Sequence, residues 1–181
     1  THTSTPLPVP EGERIQHLLW SADGSQALIS TYEECAGADC PKDTYYRYTD
    51  GTLTEVLPAR RNPVELFPAP DFSKAIMVQM MDNLGWAVSY FNLDDLSLTS
   101  LDLIADLGPI HYLHWTGNER VVIATEHDSD TTDLFTAFDF SNGISRLGQF
   151  TLPLEEYSEN IPAVAPVAAM AYYPIDQLYR A

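Results

Sequence analysis

The chain has 181 residues, 45% of them hydrophobic, enough for a sizeable core and too many for a disordered chain. Nine Lys and Arg against 26 Asp and Glu leave a net charge of −17, and such a surface repels nucleic acid and anionic membranes, because phosphate binding needs clustered cations. The longest weakly polar stretch, Ile161 to Tyr173, falls short of the roughly 20 residues a membrane span needs and contains Pro162 and Pro166.

The opening Thr1-His2-Thr3-Ser4-Thr5-Pro6-Leu7-Pro8-Val9-Pro10 is rich in Thr and Pro, which favours an extended tether with no core of its own. Residues 1–14 are expected to form a leader of the kind that separates a processed or lipid-anchored N-terminus from a folded body outside the cytoplasm. A strand is predicted at Ile15-Gln16-His17-Leu18-Leu19-Trp20, followed by a turn around Asp23-Gly24 and a second strand at Ala27-Leu28-Ile29-Ser30-Thr31-Tyr32. The two cysteines come next, in Glu34-Cys35-Ala36-Gly37-Ala38-Asp39-Cys40-Pro41. Gly37 and Asp39 let the chain turn back, so Cys35 and Cys40 are expected to form a disulfide, which suits an oxidising compartment. Two free thiols, or half of a zinc shell, are the alternatives. Closing so small a ring contributes only about 2 kcal/mol in the chain-entropy view, so the bridge would rigidify a loop rather than hold the fold.

A third strand is expected at Thr44-Tyr45-Tyr46-Arg47-Tyr48, and the turn Thr49-Asp50-Gly51 leads into a fourth near Leu53. The same order then repeats. Val64-Glu65-Leu66-Phe67, a turn at Asp71, Ala75-Ile76-Met77-Val78-Gln79-Met80 and Trp86-Ala87-Val88-Ser89-Tyr90-Phe91 lead through Asn92-Leu93-Asp94-Asp95 to a strand near Leu96. Ile110-His111-Tyr112-Leu113-His114-Trp115, a turn at Asn118, Val121-Val122-Ile123-Ala124-Thr125 and Leu134-Phe135-Thr136-Ala137-Phe138-Asp139-Phe140 lead through Ser141-Asn142-Gly143 to a strand near Ile144. The near-continuous apolar runs after the first turn of each unit mark strands covered on both faces. The units start 48 and then 47 positions apart, a period in the range of propeller blades. Residues 154–181 carry no matching turn and are expected to be a C-terminal arm, part-helical in its Ala-rich portion, docked on this chain or inserted into a neighbour.

Trp20-Ser21-Ala22-Asp23-Gly24-Ser25-Gln26-Ala27-Leu28-Ile29 resembles the repeat of TolB-type and WD-like β-propellers, in which an aromatic residue precedes Ser-Pro-Asp-Gly, two polar residues and an apolar run. Pro70-Asp71-Phe72-Ser73-Lys74 keeps the Pro-Asp and loses the Gly, and Gly117-Asn118-Glu119 is looser still. The resemblance implies an all-β fold, an incomplete array of three four-stranded antiparallel blades at about residues 15–60, 64–106 and 110–153, followed by the arm. It also implies a protein-binding platform in most cases, although some propellers sit beside hydrolase domains or carry active sites in a central channel. Three blades leave open edges, which invite a protein partner or a second copy of the chain.

No nucleophile elbow, zinc-protease helix, phosphate loop or dinucleotide fingerprint occurs in the sequence. His111 and His114 fall on opposite faces of a strand and would not share a metal. The one segment suited to a hard cation is Glu126-His127-Asp128-Ser129-Asp130-Thr131-Thr132-Asp133, where Asp128, Asp130 and Asp133 would supply calcium ligands. A solvated acidic loop is the plainer reading, because Asp133 stands where an EF-hand loop needs Gly. No other cofactor is expected. The reading reached from sequence is a non-enzymatic, extracytoplasmic binding or assembly module, with a propeller-like part of a hydrolase or lyase, completed by another chain, as the alternative.

Overall fold

The computed structural model describes residues 7–33, 43–59, 63–81, 86–101, 110–127 and 132–153. Cys35, Cys40, Asp128, Asp130 and the arm at 154–181 lie outside them. The described residues form three antiparallel four-stranded sheets, each a simple meander. The first contains β1 (Glu13–Trp20), β2 (Gln26–Glu33), β3 (Thr44–Thr49) and β4 (Thr52–Leu57). The second contains β5 (Val64–Pro68), β6 (Lys74–Met80), β7 (Trp86–Asn92) and β8 (Leu98–Ser100). The third contains β9 (Ile110–Trp115), β10 (Arg120–His127), β11 (Thr132–Asp139) and β12 (Ser145–Pro153). Leu96 and Ile144, near which fourth strands were expected, stay in the preceding turns, and β8 and β12 begin just after them.

The three first turns are equivalent. Asp23, Asp71 and Asn118 each lie between a first and a second strand. Each turn is closed by a backbone hydrogen bond between matching positions: Ser21 N–H to Gln26 O, Ala69 N–H to Lys74 O, and Thr116 N–H to Arg120 O, at 2.9, 2.8 and 2.9 Å. The third turn is one residue shorter, as the sequence spacing requires. The second strands are the most enclosed: Ala27 to Thr31 and Lys74 to Val78 are buried without a break. The fourth strands lie at sheet edges, and β8 and residues 145–151 of β12 are exposed.

Alternation along the strands sends neighbouring residues to opposite faces, and those faces meet the adjacent sheets. Leu28, Tyr45, Val56 and Leu57 of the first sheet pack on Val64, Leu66, Ala75, Met77 and Phe91 of the second. On its other face the second sheet sets Ile76, Val78 and Val88 against Trp115, Val121, Ile123 and Phe138 of the third. The junctions are also tied by polar contacts. The Tyr45 hydroxyl donates to Val64 O at 2.9 Å, and Trp115 Nε1 donates to Phe67 O at 3.0 Å. Arg47 reaches Asp94, and Lys74 reaches Glu119, both at 2.6 Å. The sheets are therefore successive blades of a propeller-type array.

The outward face of the first blade carries a third apolar cluster of Ala27, Ile29 and Tyr46, with Leu7 of the leader packed against it. Glu13 holds the start of β1 there by accepting hydrogen bonds from Thr31 Oγ1 and, at 2.9 Å, from the Tyr46 hydroxyl. Burial, followed by that bond to Glu13, pushes the Tyr46 hydroxyl up to about 12.

Candidate functional site

Aligning the three units by their strand pairing shows which positions depart from the repeat. In the second strands Ser30 stands where Val78 and Ala124 stand in the other units, two residues beyond Leu28, Ile76 and Val122. In the first strands the residue paired with each of these is His17, Glu65 or Tyr112. A β-bulge between Ile15 and His17 brings His17 into that register. The first unit alone thus replaces an apolar core residue by a hydroxyl, next to an imidazole.

That departure coincides with a cavity. A space of about 540 Å³ opens between β1 and β5, lined by His17, Leu19, Leu28, Ser30, Leu66 and Phe72 among others. Ser30 is 1% exposed, and among the described residues its Oγ is the buried side-chain oxygen without a hydrogen-bond partner. The Tyr45 hydroxyl, also at the lining, is already committed to Val64 O, and burial raises its pKa. Glu65 is partly buried at the lining; desolvation first, and the nearby Asp43 carboxylate second, push its carboxyl up to about 7. The wall combines an apolar lining with a few polar groups, the make-up of a small-molecule site. Sequence reasoning missed Ser30 and His17. Setting the three second strands side by side exposes the Ser against Val and Ala.

The two outer blade faces form the other candidate surface. The first blade presents Ile15, Leu18 and Trp20, with Trp20 50% exposed and set edge-on to Tyr48 at 6.2 Å. The third blade presents an aromatic ladder. Phe150, 52% exposed, stacks on Phe135 at 5.1 Å, Phe135 meets Tyr112, and Tyr112 stacks on His114. Burial lowers the His114 pKa, which favours the neutral ring. His111 lies on the same strand, β9. Of the calcium candidates, Asp133 is placed by its backbone in β11 opposite Glu126, while Asp128 and Asp130 lie outside the described residues. The described residues contain no cluster of three or more His, Cys, Asp or Glu that could hold a metal.

The acidic turns have a structural role. Asp23, Asp71, Asp95 and Asp139 each accept a hydrogen bond from the backbone N–H of a Ser two residues on. The bonds from Ser25 hold the Asp23 carboxyl down to about 2, and those from Ser141, then Arg120, do the same for Asp139.

No protein-family model matches the sequence, and no curated protein matches it. Among solved structures the chain is similar to the acylaminoacyl peptidase of Pyrococcus horikoshii, with a TM-score of 0.56 and 12% identity over 78% of this chain and 26% of the peptidase. A protein described as TolB from Agrobacterium tumefaciens matches with a TM-score of 0.43 and 14% identity, over 74% of this chain and 49% of that one. The chain spans about a quarter of the peptidase and about half of the second protein. The likeness to the peptidase concerns the fold, and agrees with the meander of three blades.

Proposed function

We propose that this chain is a non-enzymatic assembly module of extracytoplasmic location, whose outer blade faces are covered by a second copy of the same chain. One observation carries the reading. The outer face of the first blade, where Trp20 is exposed and Ala27 and Ile29 lie beneath Leu7, Tyr48 and Leu53, corresponds in the repeat to the face by which the second and third blades receive their predecessors, through Ala75 and Met77, and through Val121 and Ile123. The outer face of the third blade (Val122, Ala124 and the exposed Phe150) corresponds to the face that Leu28 and Ser30, or Ile76 and Val78, turn towards the next blade. The two open faces are thus the two halves of a junction that the chain already makes twice. Two chains joined head to tail through both faces give six blades, within the four to eight of closed propellers. Exposed apolar faces of this kind are uncommon on monomers.

The Thr/Pro-rich leader and the closely spaced Cys35 and Cys40 support a location outside the cytoplasm and a bond between the two sulfurs. Sedimentation equilibrium at micromolar concentration tests the assembly and should return twice the chain mass of 20.2 kDa. A monodisperse monomer would sink the reading. Thiol titration under denaturing, non-reducing conditions should find no free thiol, and two per chain would remove the disulfide.

A further inference from the structure

We propose that the cavity between β1 and β5 binds a small molecule with an apolar body and a protonated or hydrogen-donating nitrogen. This goes beyond the assembly reading and does not depend on it, because the cavity lies between two blades of one chain.

A dry hydroxyl without a partner is destabilising, and native structures satisfy nearly all such groups. Ser30 Oγ is such a group and borders open space. The other two units place Val78 and Ala124 at this position and need no polar atom there. The repeat therefore does not require Ser30, and a ligand that hydrogen-bonds to it explains why the first blade carries it. The volume, about 540 Å³, lies in the range of small-molecule sites. Leu19, Leu28, Leu66 and Phe72 provide for an apolar body.

Charge selects the head group. Among the described residues lining the cavity none is Lys or Arg, and Glu65 brings a carboxyl. The chain as a whole carries −17. An anionic ligand would meet repulsion with His17 as the one lining side chain able to carry a positive charge, whereas a cation gains from Glu65 and the surrounding field. An ammonium or N–H group can donate to Ser30 Oγ, which has lone pairs to accept it.

The test uses the whole chain and two matched probes of one shape: 2-phenylethylamine and phenylacetate. Amide chemical shifts at His17, Ser30 and Leu66 follow each titration. The amine should give saturable shifts at these residues, and phenylacetate should bind about ten-fold more weakly or not at all. Ser30→Val inserts the residue that the second blade uses and suits a strand, so its melting temperature should equal or exceed that of the parent. The same variant should weaken the amine about ten-fold, the loss expected for one hydrogen bond to a charged group. Absence of saturable shifts with the amine, tighter binding of phenylacetate, or unchanged affinity in a folded Ser30→Val chain would each overturn the proposal.

Discussion

Two phenyl- and leucyl-bearing turns show how one backbone demand is met at different energetic cost. In Asp-x-Ser turns the middle residue adopts a left-handed conformation at Gly24 (φ 72), Phe72 (φ 58) and Leu96 (φ 60). Only Gly tolerates this without a Cβ penalty of about 1–2 kcal/mol. Phe72 accepts it because its ring is 3% exposed in the core between the first two blades, whereas Leu96 is 45% exposed and gains little in return. Leu96→Gly should therefore stabilise the fold by about 0.5–1 kcal/mol, the relief of strain less the extra entropy of Gly in the unfolded chain. Phe72→Gly should destabilise it by about 3 kcal/mol, because the lost core packing outweighs the same relief. Urea denaturation of both variants decides it, and equal effects would mean that burial does not compensate the strain at Phe72. Glu65 offers a second test. Its carboxyl titrates near 7 in the fold against 4.5 ordinarily, because of burial first and Asp43 second. A raised value means that its contribution is complete below pH 4.5 and is lost as pH rises through 7. The shift corresponds to at most about 3 kcal/mol, and to about 2 kcal/mol once the carboxyl's partial contact with water is allowed for. Glu65→Gln should thus match the parent near pH 4.5 and exceed its stability by about 2 kcal/mol at pH 8. A difference that stays constant with pH would show that Glu65 ionises normally.

The blades hold together through junctions that mix apolar packing with a few directed bonds. Tyr45 illustrates this: its ring lies in the core shared by the first two blades while its hydroxyl donates to Val64 O of the second. Tyr45→Phe keeps the ring and strips the donor, leaving a carbonyl with a lost partner, and should cost about 1–2 kcal/mol in denaturant unfolding. A cost near zero would mean that water replaces the hydroxyl. Much at this level was legible beforehand. Apolar runs such as Ala27–Thr31 and Ala75–Val78, bounded by Asp-Gly or Pro-Asp turns, specify strand and hairpin by local chemistry alone, and the 48- and 47-residue spacing sets their phase. Leu96 was misplaced by two residues because an apolar side chain in a left-handed turn imitates a strand start. The cavity was not legible. Ser30 reads as an ordinary strand residue until the pairing shows it beside His17, on the face turned towards β5. The calcium candidates Asp128, Asp130 and Asp133 stay an expectation from spacing, since Asp128 and Asp130 lie outside the described residues.

For the molecule as a whole, the decisive question is which face meets which. In the head-to-tail arrangement proposed above, every junction joins the first-blade face of one chain to the third-blade face of the other. A symmetric alternative would join like faces, first blade to first blade. Charged substitutions separate the two. Trp20 and Phe150 are each about half exposed in the single chain, so Trp20→Glu and Phe150→Glu should fold while placing a carboxylate within a buried junction. In a head-to-tail dimer either substitution damages both junctions, because each junction uses one first-blade face and one third-blade face. Both variants should therefore sediment as monomers. Mixing them changes the count. A heterodimer of the two has one junction in which both faces are altered and one in which both are intact, so association should return at the intact one. Joining like faces predicts otherwise: if first-blade faces pair, Phe150→Glu stays dimeric, Trp20→Glu becomes monomeric, and mixing restores nothing. Sedimentation velocity of the two variants, alone and at equal concentration, thus reads the geometry directly. Recovery of a dimer only in the mixture is the expected result, and a dimer in either variant alone would refute the head-to-tail arrangement.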